Sequence, residues 1–291
     1  MHTANFKPLA RLRQYGYLMR LHRPIGLLLL IWPMLIALWV AGSGQPEKSV
    51  VAIFIAGAAL MRSAGCVIND YADRHLDPWV SRTKDRPLAS KQLAPKHALY
   101  VFSVLISVAF GLVCQTNGLT VLLALAGLGL TVLYPFMKRV THLPQFILGA
   151  TFAWAIPMAN AALTQHVPLA CIWLYVGTLF WAVAYDTQYA MVDRADDEKI
   201  GILSTARLVG RGDKVFIGIC QFVMLSCYFC YGQHYQLGLS YQLSLGMGAI
   251  LCIYQQWLIR HRAPQLCFKA FLNNHWLGAI LFLGVWWHYF F

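Results

Sequence analysis

Seven of the eleven acidic residues in this 291-residue chain fall in two places, Asp70, Asp73 and Asp77 in one and Asp186, Asp193, Asp196 and Asp197 in the other. At 100° per residue, Arg62, Asn69, Asp73 and Asp77 share an arc of roughly 80° with Asp70 at its edge. Asp186, Asp193 and Asp197 share roughly 40°, while Asp196 points well away. Each cluster therefore reads as a carboxylate stripe on one helix face, and two such stripes repel each other unless cations neutralise them. Hard oxygen donors in this pattern suit Mg²⁺, which is commonly held by one or two carboxylates plus substrate phosphates. One or two ions bridging a diphosphate is the chemistry this pattern points to. The competing reading makes these acids solvated loop charges paired with neighbouring Arg and Lys; the shared phase of two stripes argues against it.

Basic residues surround both clusters. Arg82, Lys84 and Arg86 follow the first, Lys199 follows the second, and Tyr134 and Lys138 stand one turn apart further along the chain. All suit phosphate oxygens, although any cytoplasmic loop carries such charges. Arg62 is different. It precedes Asn69 by two turns, lies deeper in an apolar run and has no acid at i±3 or i±4, so it pairs with another helix or receives an anionic ligand. The ten histidines show no ligand spacing, which speaks against zinc. G-x-S-x-G, Walker A and helix-opening G-x-G-x-x-G patterns are absent, which removes the common hydrolase, NTPase and dinucleotide readings. The eight cysteines lack framework spacing, and the C-x-x-C of Cys227 and Cys230 sits inside an apolar run, where packing explains it better than redox chemistry.

The elements that must position these groups are membrane-grade. Hydrophobic residues make up 59% of the chain and charged ones 12%, about half the charged share of a soluble protein. Apolar runs near 24–42, 49–68, 97–115, 118–137, 144–163, 167–190, 214–232, 237–258 and 271–290 are long enough to cross about 30 Å of hydrocarbon. This predicts an all-α polytopic membrane protein of about nine helices, with 1–291 forming one domain. Of the 23 Lys and Arg, 21 fall on one side of that arrangement, leaving Lys48 opposite and Arg62 inside span 2. By the positive-inside rule the N-terminus and both acidic clusters are cytoplasmic and the C-terminus is outside. Residues 1–23 carry five cations among apolar residues at helical spacing and read as an interfacial segment, not a signal peptide. The basic excess, distributed this way, speaks for a lipid bilayer and against nucleic acid as partner. Asp70 and Asp193 lie 123 residues apart at corresponding helix ends, which suggests an internal duplication.

The run Asn69-Asp70-Tyr71-Ala72-Asp73-Arg74-His75-Leu76-Asp77, the following Arg82-Thr83-Lys84-Asp85-Arg86-Pro87-Leu88, and Tyr185-Asp186 through Asp193 with Asp197 resemble the UbiA superfamily of intramembrane prenyltransferases. Arg23-Pro24-Ile25-Gly26 and the stretch 186–193 look like the branch that prenylates 4-hydroxybenzoate for ubiquinone synthesis. The resemblance spans essentially the whole chain. It implies helices around a central cavity open sideways to lipid, in a bacterial inner membrane. It also implies Mg²⁺ and diphosphate on Asp73, Asp77, Asp193 and Asp197, and a diphosphate contact from Lys138 with Tyr134 beside it. Arg62 and Asn69 would meet the aromatic acceptor, and Asp186 the acceptor or the reacting carbon. The substrates implied are a polyprenyl diphosphate and 4-hydroxybenzoate. A different aromatic acceptor is the alternative within this class; a secondary transporter is the alternative outside it. Oligomeric state stays open.

Overall fold

The structure is a computed structural model that describes residues 8–137, 139–201 and 203–291. Among the described residues every regular element is a helix. A short α1 (Pro8–Leu18) leads into α2 (Ile25–Ala41), α3 (Lys48–Asp73), α4 (Pro95–Val113) and α5 (Gly118–Met137). Then come α6 (Pro144–Ala153), α7 (Ala155–Thr164), α8 (Cys171–Ile200), the single-turn α9 (Thr205–Val209), α10 (Asp213–His234), α11 (Leu239–Ile259) and α12 (Pro264–Phe290). Proline opens α4, α6 and α12, where its missing N–H costs nothing and its φ already suits a helix. The 30-residue α8 ends at Gly201, whose left-handed φ of 75° returns its N–H to Asp197 O.

Large apolar side chains point outward along the bundle, among them Phe222, Ile253 and Trp276. A surface of this kind is matched to hydrocarbon and not to water. Six helical stretches are long and apolar enough to cross a membrane, namely Lys48–Asp73, Pro95–Val113, Gly118–Met137, Pro144–Thr164, Thr205–His234 and Pro264–Phe290. Ile25–Ala41 is apolar but shorter. The protein is an integral membrane protein.

The interior is held by more than apolar contact. Trp181 Nε1 donates to Asn274 Oδ1 at 2.8 Å, Asn274 Nδ2 to Gln188 Oε1 at 2.9 Å, and Gln188 Nε2 to Gln255 Oε1 at 3.1 Å. Gln221 Nε2 joins the same Gln255 oxygen at 2.8 Å. Buried amides that satisfy one another in this way tie α8, α10, α11 and α12 together where the hydrophobic effect between helices is weak.

Two elements depart from the sequence expectation. The run 144–163 is one continuous span in hydropathy, but the helix breaks at Trp154, whose indole N–H is drawn to Leu123 O on α5 at 2.7 Å. The helix carrying the first acidic stripe ends at Asp73, four residues short of Asp77. Asp77 instead begins a 3-10 turn, Asp77–Trp79, with Pro78 in its first positions, where a missing N–H costs nothing. Helical phase therefore places Asp73 but not Asp77.

Candidate active site

A cavity of about 1260 Å³ runs between α1 to α8 and α12. Its lining changes character along its length. One end collects Asp70, Asp73, Asp77, Arg82, Arg86, Tyr134, Asp186, Asp193 and Asp197, and the rest is lined by apolar groups such as Met34, Phe54, Val113 and Met158. The two acidic clusters, more than 100 residues apart in the chain, thus face one space.

The first cluster hangs on α3 and the turn after it. Asp73 is the last helical residue, is 2% exposed, and has Arg139 Nη2 at 3.8 Å. Asp77 is held by the loop that follows: Arg86 Nη1 donates to its carboxylate at 2.9 and 3.0 Å, and Thr83 Oγ1 donates to its backbone carbonyl at 2.9 Å. Asp70 is wholly buried between Arg20 Nη2 at 2.7 Å and Arg86 Nη1 at 3.1 Å, with its Oδ2 lacking a hydrogen-bond partner. Burial works against the Arg86 charge, but Asp70 and Asp77 outweigh it and raise the Arg86 pKa.

The second cluster rides on α8. Thirty residues give about 45 Å of helix, well beyond the roughly 30 Å hydrocarbon core, so its last turns carry Asp193 and Asp197 out to the polar end. Arg82 reaches across from the α3–α4 connection and grips Asp193 with two nitrogens at 2.5 and 3.0 Å, its guanidinium lying 4.7 Å over the Tyr189 ring. Burial opposes the Arg82 charge, yet the hydrogen bonds to Asp193 leave its pKa above the ordinary arginine value. Asp186 lies deeper beside Gln145, whose Oε1 accepts from Thr205 N at 3.1 Å and whose amide end is turned to the carboxylate.

Arg62 stands about 16 Å below Asp73 along α3 at 1.5 Å per residue. Its Nε is buried without a hydrogen-bond partner, its Nη1 rests against Cys66 Sγ, and the guanidinium lies over Gly26 of α2. Asn69 lines the cavity between Arg62 and Asp73. Rings of Tyr185, Tyr189 and Phe271 follow one another in edge and tilted contact, with centroids 6.1 Å apart for Tyr185 and Phe271 and 4.9 Å for Tyr189 and Phe271.

Several expectations are corrected by this geometry. Lys84 and Lys199 do not line the cavity; both side chains are exposed, and Lys199 extends to Asp196 at 3.7 Å. Lys84 in the α3–α4 connection and Lys199 in the last turn of α8 face water, so sequence proximity to the stripes does not bring them to the site. Lys138 lies outside the described residues. The arginine-paired reading and the shared-cavity reading of the acids also hold together, since Asp70, Asp73, Asp77 and Asp193 face the cavity and pair with Arg20, Arg82, Arg86 and Arg139. Sequence reasoning missed Arg20, Arg139 and Gln145, for which no spacing signal existed: each comes from an element remote in the chain. Asp196 is outside the cavity lining and accepts a hydrogen bond from Ser81 N at 3.2 Å.

The donor set fits Mg²⁺. Among the described residues no three Asp, Glu, His or Cys side chains close into a metal cage, whereas single carboxylates facing each other across a cavity are the arrangement Mg²⁺ uses when phosphate completes its shell.

The fold and site are those of an intramembrane enzyme family. Residues 30–283 match the model of the UbiA prenyltransferase family, and the chain belongs to that family. It is similar to the 4-hydroxybenzoate octaprenyltransferase of Hahella chejuensis, with 54% identity over 276 residues, covering 95% of this chain and 92% of the relative. A UbiA homologue from Aeropyrum pernix K1 shares the fold with a TM-score of 0.78 at 20% identity, over 88% of this chain and 96% of that one. A UbiA homologue from Archaeoglobus fulgidus bound to GPP and Mg²⁺ aligns with a TM-score of 0.73 at 15% identity, over 94% of this chain and 99% of that one.

Proposed function

We propose that the protein is a 4-hydroxybenzoate polyprenyltransferase of a bacterial inner membrane. It transfers the polyprenyl group of a polyprenyl diphosphate to the ring carbon ortho to the acceptor's hydroxyl, in ubiquinone biosynthesis. The observation that carries this reading is the gradient within one cavity: carboxylates and arginines at one end, Arg62 deeper in with its Nε lacking a hydrogen-bond partner, and apolar and aromatic walls between and below. The relatives named for this activity support it.

Asp73, Asp77, Asp193 and Asp197 would hold Mg²⁺, which when bound supplies charge neutralisation for a departing diphosphate. Arg82 and Arg86, already poised on Asp193 and Asp77, turn to phosphate oxygens that arrive between them. Tyr134, and Lys138 by the family resemblance, serve the same group. The faces of Tyr185, Tyr189 and Phe271 stabilise the allylic cation left behind and keep water from it. Arg62 receives the acceptor's carboxylate, and with Asn69 it aims the ring at the ionising carbon. Asp186, held by Gln145, and the released diphosphate are the two groups available to take the ring proton. The transporter alternative expects charges near the membrane midplane, whereas these acids gather at one end.

The same reading proposes nine crossings, with the N-terminus and the acidic loops cytoplasmic and the C-terminus outside, supported by the cation asymmetry. The direct test is an assay of the purified protein with a polyprenyl diphosphate and 4-hydroxybenzoate, with and without EDTA. Ring-prenylated product that disappears with EDTA is expected. Absence of product with metal present overturns the reading.

A further inference from the structure

Outside the cavity, one carboxylate joins four separate pieces of chain. Asp213 opens α10 and is fully buried. It accepts from Arg194 Nη2 at 2.7 Å, from Arg262 Nε at 2.9 and 3.0 Å, and from the Lys214 backbone N–H at 2.7 Å. The two guanidiniums then hold backbone. Arg194 Nη2 also donates to Ala206 O at 2.8 Å and Gly210 O at 3.3 Å, and Arg262 Nη2 to Arg211 O at 2.7 Å. None of the three side chains lines the cavity.

The backbone bends to make this contact. Arg262, in the α11–α12 connection, sits at φ 56°, and Gly210 at φ 51°. A non-glycine residue stays in the left-handed region only where its surroundings over-determine it; here the bonds from Arg262 to Asp213 and Arg211 do so. What the node anchors is next to the chemistry. Arg194 follows Asp193 directly, Arg207 Nη1 donates to Asp197 O at 3.3 Å, and Leu203 and Ser204 of the anchored segment line the cavity. On the cavity side Arg82 pulls on Asp193, so the end of α8 is held from two directions.

We propose that Asp213, with Arg194 and Arg262, is a positioning node that sets Asp193, Asp197 and segment 203–212 for the diphosphate of the prenyl donor. It acts through the donor end alone, because Arg62 and Asn69 of the acceptor end lie on α3, whereas the node joins α8, α10 and the α11–α12 connection. The inference rests on the proposed diphosphate role of Asp193 and Asp197.

The test compares Arg262→Gln, Arg262→Lys and Asp213→Asn in the full-length purified protein. The readouts are KM for each substrate, binding of a non-ionising prenyl thiodiphosphate in Mg²⁺, and thermal unfolding. Outer-shell partners of metal ligands are worth about 10- to 100-fold, and a rise of that order in donor KM and analogue Kd is expected for Arg262→Gln and Asp213→Asn. The acceptor KM should stay unchanged and Arg262→Lys should recover part of the loss. Unchanged donor binding, or an equal loss for both substrates accompanied by a lower unfolding temperature, overturns the node. Should Asp213→Asn not fold, Arg262→Gln decides alone. Asp193→Asn separates the two levels: if it leaves analogue binding intact, the diphosphate reading itself fails, and if it abolishes binding while Arg262→Gln is silent, only the node fails.

Discussion

Gly26 of α2 and Arg62 of α3 share one volume: a Cβ at position 26 would overlap the Arg62 guanidinium. The glycine lets an arginine on the neighbouring helix turn its head group into the cavity instead of out of it. A permanent charge held there with its Nε lacking a hydrogen-bond partner can take an anion that arrives from outside.

Replacing Gly26 by Ala should therefore displace the guanidinium without removing it. The far end of a flexible side chain moves aside with little loss of stability, and we expect the change to appear as a raised KM for 4-hydroxybenzoate with the prenyl diphosphate KM unchanged. Steady-state kinetics with each substrate varied in turn will check this; a parallel rise in both would show that Gly26 serves packing only.

Arg62→Ala removes the charge outright. Loss of one partner of a buried charged pair is worth about 2–5 kcal/mol, expected here in the acceptor KM. Phenols lacking the carboxylate should lose much of their disadvantage in this variant. If they remain as poor as before, Arg62 is not the carboxylate's partner.

The acidic stripes separate by role. Asp73→Ala and Asp193→Ala should lower activity by orders of magnitude, because each would supply a metal ligand for ionisation. Asp196→Ala should be milder, since Asp196 meets Ser81 N and Lys199 outside the cavity. Equal losses at Asp193 and Asp196 would contradict the orientation of the α8 end.

The cations separate too. Lys84→Ala and Lys199→Ala should change stability and rate by no more than about 0.5 kcal/mol, as exposed substitutions do. Arg86→Ala leaves two buried carboxylates, Asp70 and Asp77, without that partner, and removing one partner of a buried pair costs about 3–5 kcal/mol. Thermal unfolding and turnover of the three variants measured together would expose any reversal of this order.

A reporter fused after Phe291 should lie outside the membrane and one inserted near Lys91 inside, given the placement of 21 of 23 cations on one face. A cytoplasmic C-terminus would mean an even number of crossings.

Helix class, the two carboxylate stripes and the exceptional status of Arg62 were legible because each depends on local period and on the cost of charge in hydrocarbon. The sequence argument placed Asp73, Asp193 and Asp197 by helical phase, and they reach the cavity from α3 and α8. Asp77 reaches the same cavity without sharing that phase, on the 3-10 turn after the helix has ended at Asp73. The sequence argument failed for Lys84 and Lys199, where closeness in the chain was not closeness in space.

Hydropathy and charge by themselves determined that this chain enters a membrane and that its acids collect at one end of its helices, since both follow from transfer energies summed along the chain. Only the tertiary structure decided which cations meet which acids. Arg20 with Asp70, Arg82 with Asp193, and Arg194 and Arg262 with Asp213 are separated by 50, 111, 19 and 49 positions. Such pairings are chosen by how helices pack and where connections turn, because a charge taken out of water accepts whichever opposite partner the packing brings within hydrogen-bond reach.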